Sequence, residues 1–266
     1  MFDYFLHYEP QLRLIIFVST FIIIFSWELL AKKRSSEFSV DRTLTNFLLM
    51  LINSLALRLV MPILAIELAL QLEAQGLGIL PQIPLPELAI FLISLIILDL
   101  AIYIQHVIFH KVPFLWRFHK VHHADTGFDV TTGVRFHPGE IVFSMLYKLT
   151  IVLLLGPSAA AVFVFEVLLS SSSLFTHANA SMLRKMDSFL RWFIVTPDMH
   201  RIHHSHQTDE ALTNFGFNLS LWDRVFGTYR SVSSCSDTEM RLGTRNIPAK
   251  KASSIWHMLI LPVYKN

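Results

Sequence analysis

The chain has 266 residues, 53% of them hydrophobic and only 16% charged, with a mean hydropathy of +0.50, whereas an average soluble domain carries about a quarter charged residues. A formal charge of +2 is too small to suggest a nucleic-acid partner, and the Lys and Arg side chains sit beside apolar runs, as membrane proteins place them. The single cysteine, Cys235, excludes an intrachain disulfide, an Fe–S cluster and a thiolate zinc site.

Apolar runs long enough to cross a bilayer recur four times. The N-terminal stretch has no basic region or small-residue cleavage site, so the first run reads as an anchor rather than a removed signal. Residues 12–30 form the first predicted crossing. Lys32, Lys33 and Arg34 follow at once, and with Asp3 and Glu9 ahead of the run this orients the N-terminus outside and residue 32 in the cytoplasm. Residues 43–72 predict a second crossing with a kinked end, interrupted by Arg58, Pro62 and Glu67. Gly76, Gly78, Pro81, Pro84 and Pro86 mark a turn-rich outer loop.

Residues 87–108 return toward the cytoplasm. Asp99 lies well inside this crossing, where an acid costs roughly 2.5–3.5 kcal/mol. Two accounts of it are open: a pair with a buried Arg such as Arg58, or a carboxylate that orients a histidine. Asp99, Tyr103, His106 and His110 follow one another at helical steps, so one stripe carries an acid, a phenol and two imidazoles toward the inner surface. Residues 141–175 are long for one crossing and short for two, and Gly156-Pro157 divides them. A single crossing would separate the histidines at 200–204 from those at 106–123. A hairpin turning at Gly156-Pro157 keeps them together, with arms of roughly 25 Å; Lys148 and Glu166 inside the arms count against it. Beyond His177, Arg184, Lys185 and Arg191 flank an amphipathic stretch at 186–195 suited to the membrane interface. The end of the chain is polar, with an apolar patch at 256–263 too short to span.

Thirteen histidines are unevenly placed. H-x-x-x-H occurs at His106 and His110, and H-x-x-H-H occurs at His119, His122, His123 and again at His200, His203, His204; chance predicts the second pattern roughly 0.03 times in such a chain. Imidazole is mostly neutral at pH 7 and a poor choice for a solvated basic helix, but a good metal ligand. Eight of them exceed what one ion accepts, so two metals with three to five nitrogens each is the economical count. Zinc, copper, iron and nickel all accept such a donor set. His177 and His137 lie between the blocks, as further ligands or as hydrogen-bond partners of ligands. His7 and His257 read as incidental and His206 as a surface neighbour. A membrane haem protein needs one or two axial ligands rather than triplets. A metal transporter places its ligands at mid-membrane. No nucleotide-binding motif occurs, so any electrons come from another protein.

The three histidine blocks resemble those of the fatty acid hydroxylase/sterol desaturase family of integral-membrane, non-haem di-iron enzymes. The likeness extends to Asp99 ahead of His106, Trp116, Arg135-Phe-His-Pro-Gly-Glu, the segment from Thr196 to Ser205, Asn214-Phe-Gly, and the segment from Leu221 to Tyr229, and it covers residues 90–230. It implies an all-α fold with about four transmembrane helices in two hairpins, under a cytoplasmic helical cap. It divides the chain into a membrane anchor (1–85), a catalytic domain (86–230) and a polar tail (231–266). It implies two iron ions, with zinc possible on isolation, bound by His106, His110, His119, His122, His123, His200, His203 and His204, with His177 as a ninth candidate. The chemistry implied is hydroxylation or desaturation of a lipid C–H bond with dioxygen and two electrons from an external donor, a haem cytochrome or a ferredoxin with its reductase. On this resemblance Asp99 and Tyr103 support the ligands, while Asn214, Trp222 and Asp223 fix the cap, so that Asp223→Ala should lose metal or fold. The lipid itself does not carry over; sterols, fatty acyl chains, ether lipids and carotenoids all remain open.

Overall fold

A computed structural model describes residues 8–35, 39–237 and 239–264; Asp3 and His7 lie outside the described residues. Helix α1, Glu9–Leu30, starts with a proline in its first turn, where the missing N–H is not needed. Helix α2, Val40–Val60, is capped by Ser39, whose hydroxyl accepts from the Arg42 N–H. The helix breaks at Met61 ahead of Pro62, and α3, Ala65–Gln75, resumes with Glu67 accepting from the Leu64 N–H at 2.7 Å. Helices α4 (Glu87–Lys111) and α5 (Pro113–His123) are separated only by Val112, and Pro113 opens the second. Helices α6 (Pro138–Leu155) and α7 (Ala159–Thr176) form the anticipated hairpin, turning at Gly156 with φ 61°. A side chain there would meet the Leu77 carbonyl at 2.1 Å, so only glycine lets this turn pack on the loop after α3.

Among the described residues five candidate spans are long and apolar enough to cross a membrane: Glu9–Leu30, Val40–Gln82, Glu87–Lys111, Pro138–Leu155 and Ala159–Thr176. The sequence reading expected about four transmembrane helices; the hairpin that it drew at Gly156-Pro157 accounts for two of these five candidates. Lys148 and Glu166, which counted against that hairpin, pair across it at 2.6 Å. Among the described residues there are no strands, only isolated bridges such as Lys32 with Ala180. The membrane-side core lies between α3, α4, α6 and α7, around Leu72, Leu98, Ile102, Val152 and Phe165. Short helices follow: α8 (Arg184–Leu190), α9 (Pro197–His203), α10 (Thr208–Ala211), α11 (Leu221–Val225), α12 (Ala249–Ala252) and α13 (Ile255–Ile260).

Asp99 makes neither of its two expected partners. Its carboxylate accepts from Asn218 Nδ2 at 2.7 Å, from the Trp222 indole at 2.8 Å and from the Leu219 N–H at 3.2 Å. It is 3% exposed, and among the described residues it bonds no histidine and no arginine. The correction has a simple cause: the partners come from a distant segment that no local spacing could reveal. Asp99 sits seven residues before His106, so the segment from Asn218 to Trp222 reaches roughly 10 Å along the side of α4. Asp99→Ala leaves three donors unpaired and is expected to destabilise the fold by about 1–3 kcal/mol. Thermal unfolding in detergent, followed through Trp222, measures this; an unchanged midpoint would remove the anchor role.

Candidate metal centre

Two helices each send histidines to two places. On α5, His119 and His123 lie one turn apart on one face, while His122 points to another. On α9 the pattern is reversed: His200 and His204 share a face and His203 stands apart. The described residues accordingly hold two groups, His106, His110, His119, His123 and His203 in one and His122, His177, His200 and His204 in the other. Within each group the ligand atoms lie within 4.8 Å of one another. The groups adjoin, since the rings of His123 and His204 stack with centroids 4.4 Å apart. His177 follows α7 directly and enters the second group. His137 does not join either: its Nδ1 accepts from the Gly139 N–H at 2.9 Å, capping α6, and its Nε2 donates to the Leu259 carbonyl at 3.1 Å. His206 bonds the Arg241 carbonyl.

The hydrogen bonds fix which nitrogens are bare. His106, His122, His177 and His203 each place Nδ1 on a backbone carbonyl, of Phe215, Arg135, Ser173 and Thr213, at 2.8, 3.0, 2.6 and 2.8 Å. A carbonyl only accepts, so each Nδ1 carries the proton and each neutral ring leaves Nε2 as a lone pair. Yet Nε2 of His106 faces Nε2 of His203 at 3.1 Å, and Nε2 of His122 faces Nε2 of His177 at 3.1 Å. Lone pairs aimed at each other repel unless a cation lies between them. Two nitrogens bound to one ion at about 2.1 Å stand about 3.0–3.4 Å apart, which is the spacing seen. Nε2 of His110, His119 and His123 is buried without a partner among the described residues. Burial, then the neighbouring imidazoles, pushes His122, His123, His200 and His204 well below the ordinary histidine value, while burial takes His177 to about 4 and His203 to about 3. These six imidazoles are neutral at physiological pH, the form in which they bind metal. The donor set fits a pair of transition-metal ions.

Asn214 and Asp223 act one step back from the imidazoles. The Thr213 and Phe215 carbonyls hold His203 and His106, so the loop between them sets two ring orientations. Asn214 sits at its centre with φ 54°, a left-handed conformation that Asn tolerates. Its amide donates to the Met199 and Arg230 carbonyls. Asp223, fully buried, accepts from the Phe215 and Gly216 N–H groups at 2.8 Å and from Thr228 Oγ1 at 2.6 Å. Tyr103 pairs its hydroxyl with Thr228 at 2.8 Å and meets the Phe215 ring edge-on. Asn214, Asp223 and Tyr103 therefore touch the loop that carries these carbonyls, or what holds it.

Three contributors were given no role by the sequence reading, although Arg135 and Glu140 stand at the two ends of the Arg-Phe-His-Pro-Gly-Glu motif that it quotes. Glu140 accepts from His119 Nδ1 at 2.7 Å and holds that ring as the carbonyls hold the others. The only hint was an acid opening an apolar run directly after His-Pro-Gly. Arg135, fully buried, gives its carbonyl to His122 and its guanidinium to the Val121 and Ala252 carbonyls and Asn46. Asp125, two residues past His123, takes the Arg42 guanidinium through both oxygens at 2.5 and 2.8 Å. Glu140→Gln keeps the size of the group but weakens its hold on His119, and is expected to lower metal affinity about 10–100-fold. Metal retention against a graded chelator measures this, and full retention would deny Glu140 the role.

A multi-pass helical protein with two adjoining all-imidazole groups belongs to the class of histidine-rich membrane metalloproteins. Comparison with known proteins narrows this. The sequence profile of the fatty acid hydroxylase family matches residues 91–228, and the chain belongs to that family. An ornithine lipid hydroxylase of Rhizobium tropici is 30% identical over 56% of this chain and 44% of its own. Alkylglycerol monooxygenase of Xenopus tropicalis is 28% identical over 49% of this chain and 28% of its own. Human cholesterol 25-hydroxylase is 27% identical over 56% of this chain and 55% of its own. The matched region thus spans about half or less of each relative. No solved structure matches the chain.

Proposed function

We propose that this protein is a non-haem di-iron oxygenase that hydroxylates or desaturates a C–H bond of a membrane lipid. One observation carries the reading: nine imidazoles, eight of them buried, converge in two groups with bare nitrogens aimed at one another. Family membership and the lipid-modifying names of the relatives support it. Iron held by these groups would supply, with dioxygen and two electrons, the oxidant that an unactivated C–H bond requires. The electrons come from a separate donor, a haem cytochrome or a ferredoxin with its reductase.

The chain's own residues provide the rest. His106, His119, His122 and His200, drawn from both groups, form one wall of a cavity of about 380 Å³. Ile102, Phe109, Phe136, Met145 and Phe217 line it with apolar surface that excludes water and receives a hydrocarbon chain. The basic flank of α1 lies at the same end, with Lys33 Nζ 3.1 Å from Asp198 in the first turn of α9. The tendency of such flanks to stay inside supports a cytoplasmic face for the centre.

Metal analysis of the purified protein, joined to lipid profiling of cells with and without it, tests the reading. Two irons per chain and an oxygenated lipid that depends on the protein are expected. A Soret band, or a lipid profile unchanged by deletion, would overturn it.

A further inference from the structure

The cavity beside the imidazoles does not end in hydrocarbon. At a distance from them it is lined by Arg13, Lys148 and Glu166, ionisable side chains on three membrane-spanning helices. Lys148 Nζ lies 2.6 Å from one Glu166 oxygen and Arg13 Nη2 lies 2.8 Å from the other; Arg13 Nε also donates to Glu9 at 2.6 Å. Charge at such depth costs roughly 2.5–3.5 kcal/mol per residue on insertion scales and marks function more often than architecture.

Two polar stripes lead to this clasp. On α6, Glu140, Ser144 and Lys148 follow one another every four residues; on α7, Ser173, Ser170 and Glu166 do so at steps of three and four. All six line the cavity. Gln105 bonds Ser144 through its amide nitrogen at 2.9 Å, but its buried Oε1 finds no partner among the described residues. The same holds for Asn53 Oδ1, on a side chain only 6% exposed that also lines the cavity. A pair of helices that needed only a staple would not require acceptors left open along the way.

The ligand follows from the donor and charge count. Glu9, Arg13, Glu166 and Lys148 sum to zero charge, so a carboxylate or phosphate would bring an unbalanced negative charge into a poorly solvated space. Lys148 has three N–H donors and spends one on Glu166. The clasp therefore offers donors without net charge, and Gln105 offers an acceptor on the neighbouring turn. We propose that Arg13, Glu166 and Lys148 form a second recognition point that binds an uncharged oxygen function, a hydroxyl or carbonyl, on the lipid whose C–H bond meets the imidazoles. This rests on the lipid-oxygenase reading of the metal centre. Lys148 lies eight residues along α6 from Glu140, and Glu166 eleven residues before His177. The rise of a helix sets the oxygen about 12–16 Å from the bond attacked, and the clasp acts as the ruler.

Three probes that differ only at one terminus decide it: 1-octadecanol, octadecane and octadecanoate, radiolabelled and bound to the iron-loaded protein in detergent, with protein-free micelles subtracted. Octadecanol is expected to bind about tenfold or more tighter than either of the others, the margin of a hydrogen bond to a charged donor. In Lys148→Met/Glu166→Gln that margin should collapse. The double substitution removes a buried ion pair as a unit, a change that cores tolerate. Equal binding of all three by the unaltered protein, or a margin that survives the double substitution, overturns the clasp. Lipid profiling keeps the two readings apart: oxidised lipids without the margin sink the clasp alone, and the margin without oxidised lipids sinks the oxygenase alone.

Discussion

His177→Ala is expected to halve the bound iron and reduce lipid oxidation to less than about a hundredth, since losing even an outer partner of a ligand costs about 10–100-fold. His177 is the hub of its group. Its bare Nε2 faces Nε2 of His122 and of His200 at 3.1 Å and of His204 at 3.2 Å. Removing it leaves three imidazoles on two helices and takes away the one ring that faces all the others. His137→Ala is the matched control, because it lies in the same stretch between the blocks but serves as a helix cap. It should keep its iron and lose only about 0.5–2 kcal/mol of stability, the worth of a cap. Iron per chain on gel-filtered protein reads both variants. Full iron in His177→Ala would dissolve the four-imidazole group, and iron lost from His137→Ala would show that proximity to the blocks, not geometry, matters.

The histidine blocks were legible because ligand spacing on a helix is a local property: positions three and four apart share a face whatever the rest of the chain does. Which ring serves which group was not. His122 parts from His119 and His123, and His203 from His200 and His204, only through the relative rotation of α5 and α9, which lies in tertiary packing. The hairpin at Gly156 was legible from chemistry, since the blocks had to meet on one side. Asp99 shows the limit most clearly. Its depth announced a special role, but its partners Asn218, Leu219 and Trp222 stand more than a hundred positions away, and no spacing rule spans that distance. Glu140, Arg135 and Asp125 were silent for the same reason: each touches a histidine, or what holds one, from a different element.

The largest loss of stability is expected at Asp125→Ala. Asp125 is 1% exposed, and besides the Arg42 guanidinium it accepts from Thr132 Oγ1 at 2.8 Å and the Gly127 N–H at 3.1 Å. Burial alone would raise its pKa, but the Arg42 and Arg135 guanidiniums outweigh that and hold it well below the ordinary carboxylate range. Arg135 is itself lowered by burial, to about 10, and stays charged at neutral pH. Two buried cations thus lean on one carboxylate. Removing one member of a buried pair costs about 3–5 kcal/mol, because the charge left behind is unpaired. Here it leaves Arg42 with Asp129 alone as its acidic partner. Arg135 feels the change through Asn46, which donates to Asp125 and accepts from Arg135. Since the Arg135 carbonyl orients His122, loosening this network reaches the second imidazole group. Asp125→Ala should therefore unfold at markedly lower temperature in detergent and release iron before the helices melt. Arg42→Met/Asp125→Leu, which removes both charges together, should recover most of the stability. If the single and double variants unfold alike, the pair is not what holds this face of the site; if the single variant unfolds at the unaltered temperature, the buried charge is not a strain on the fold at all.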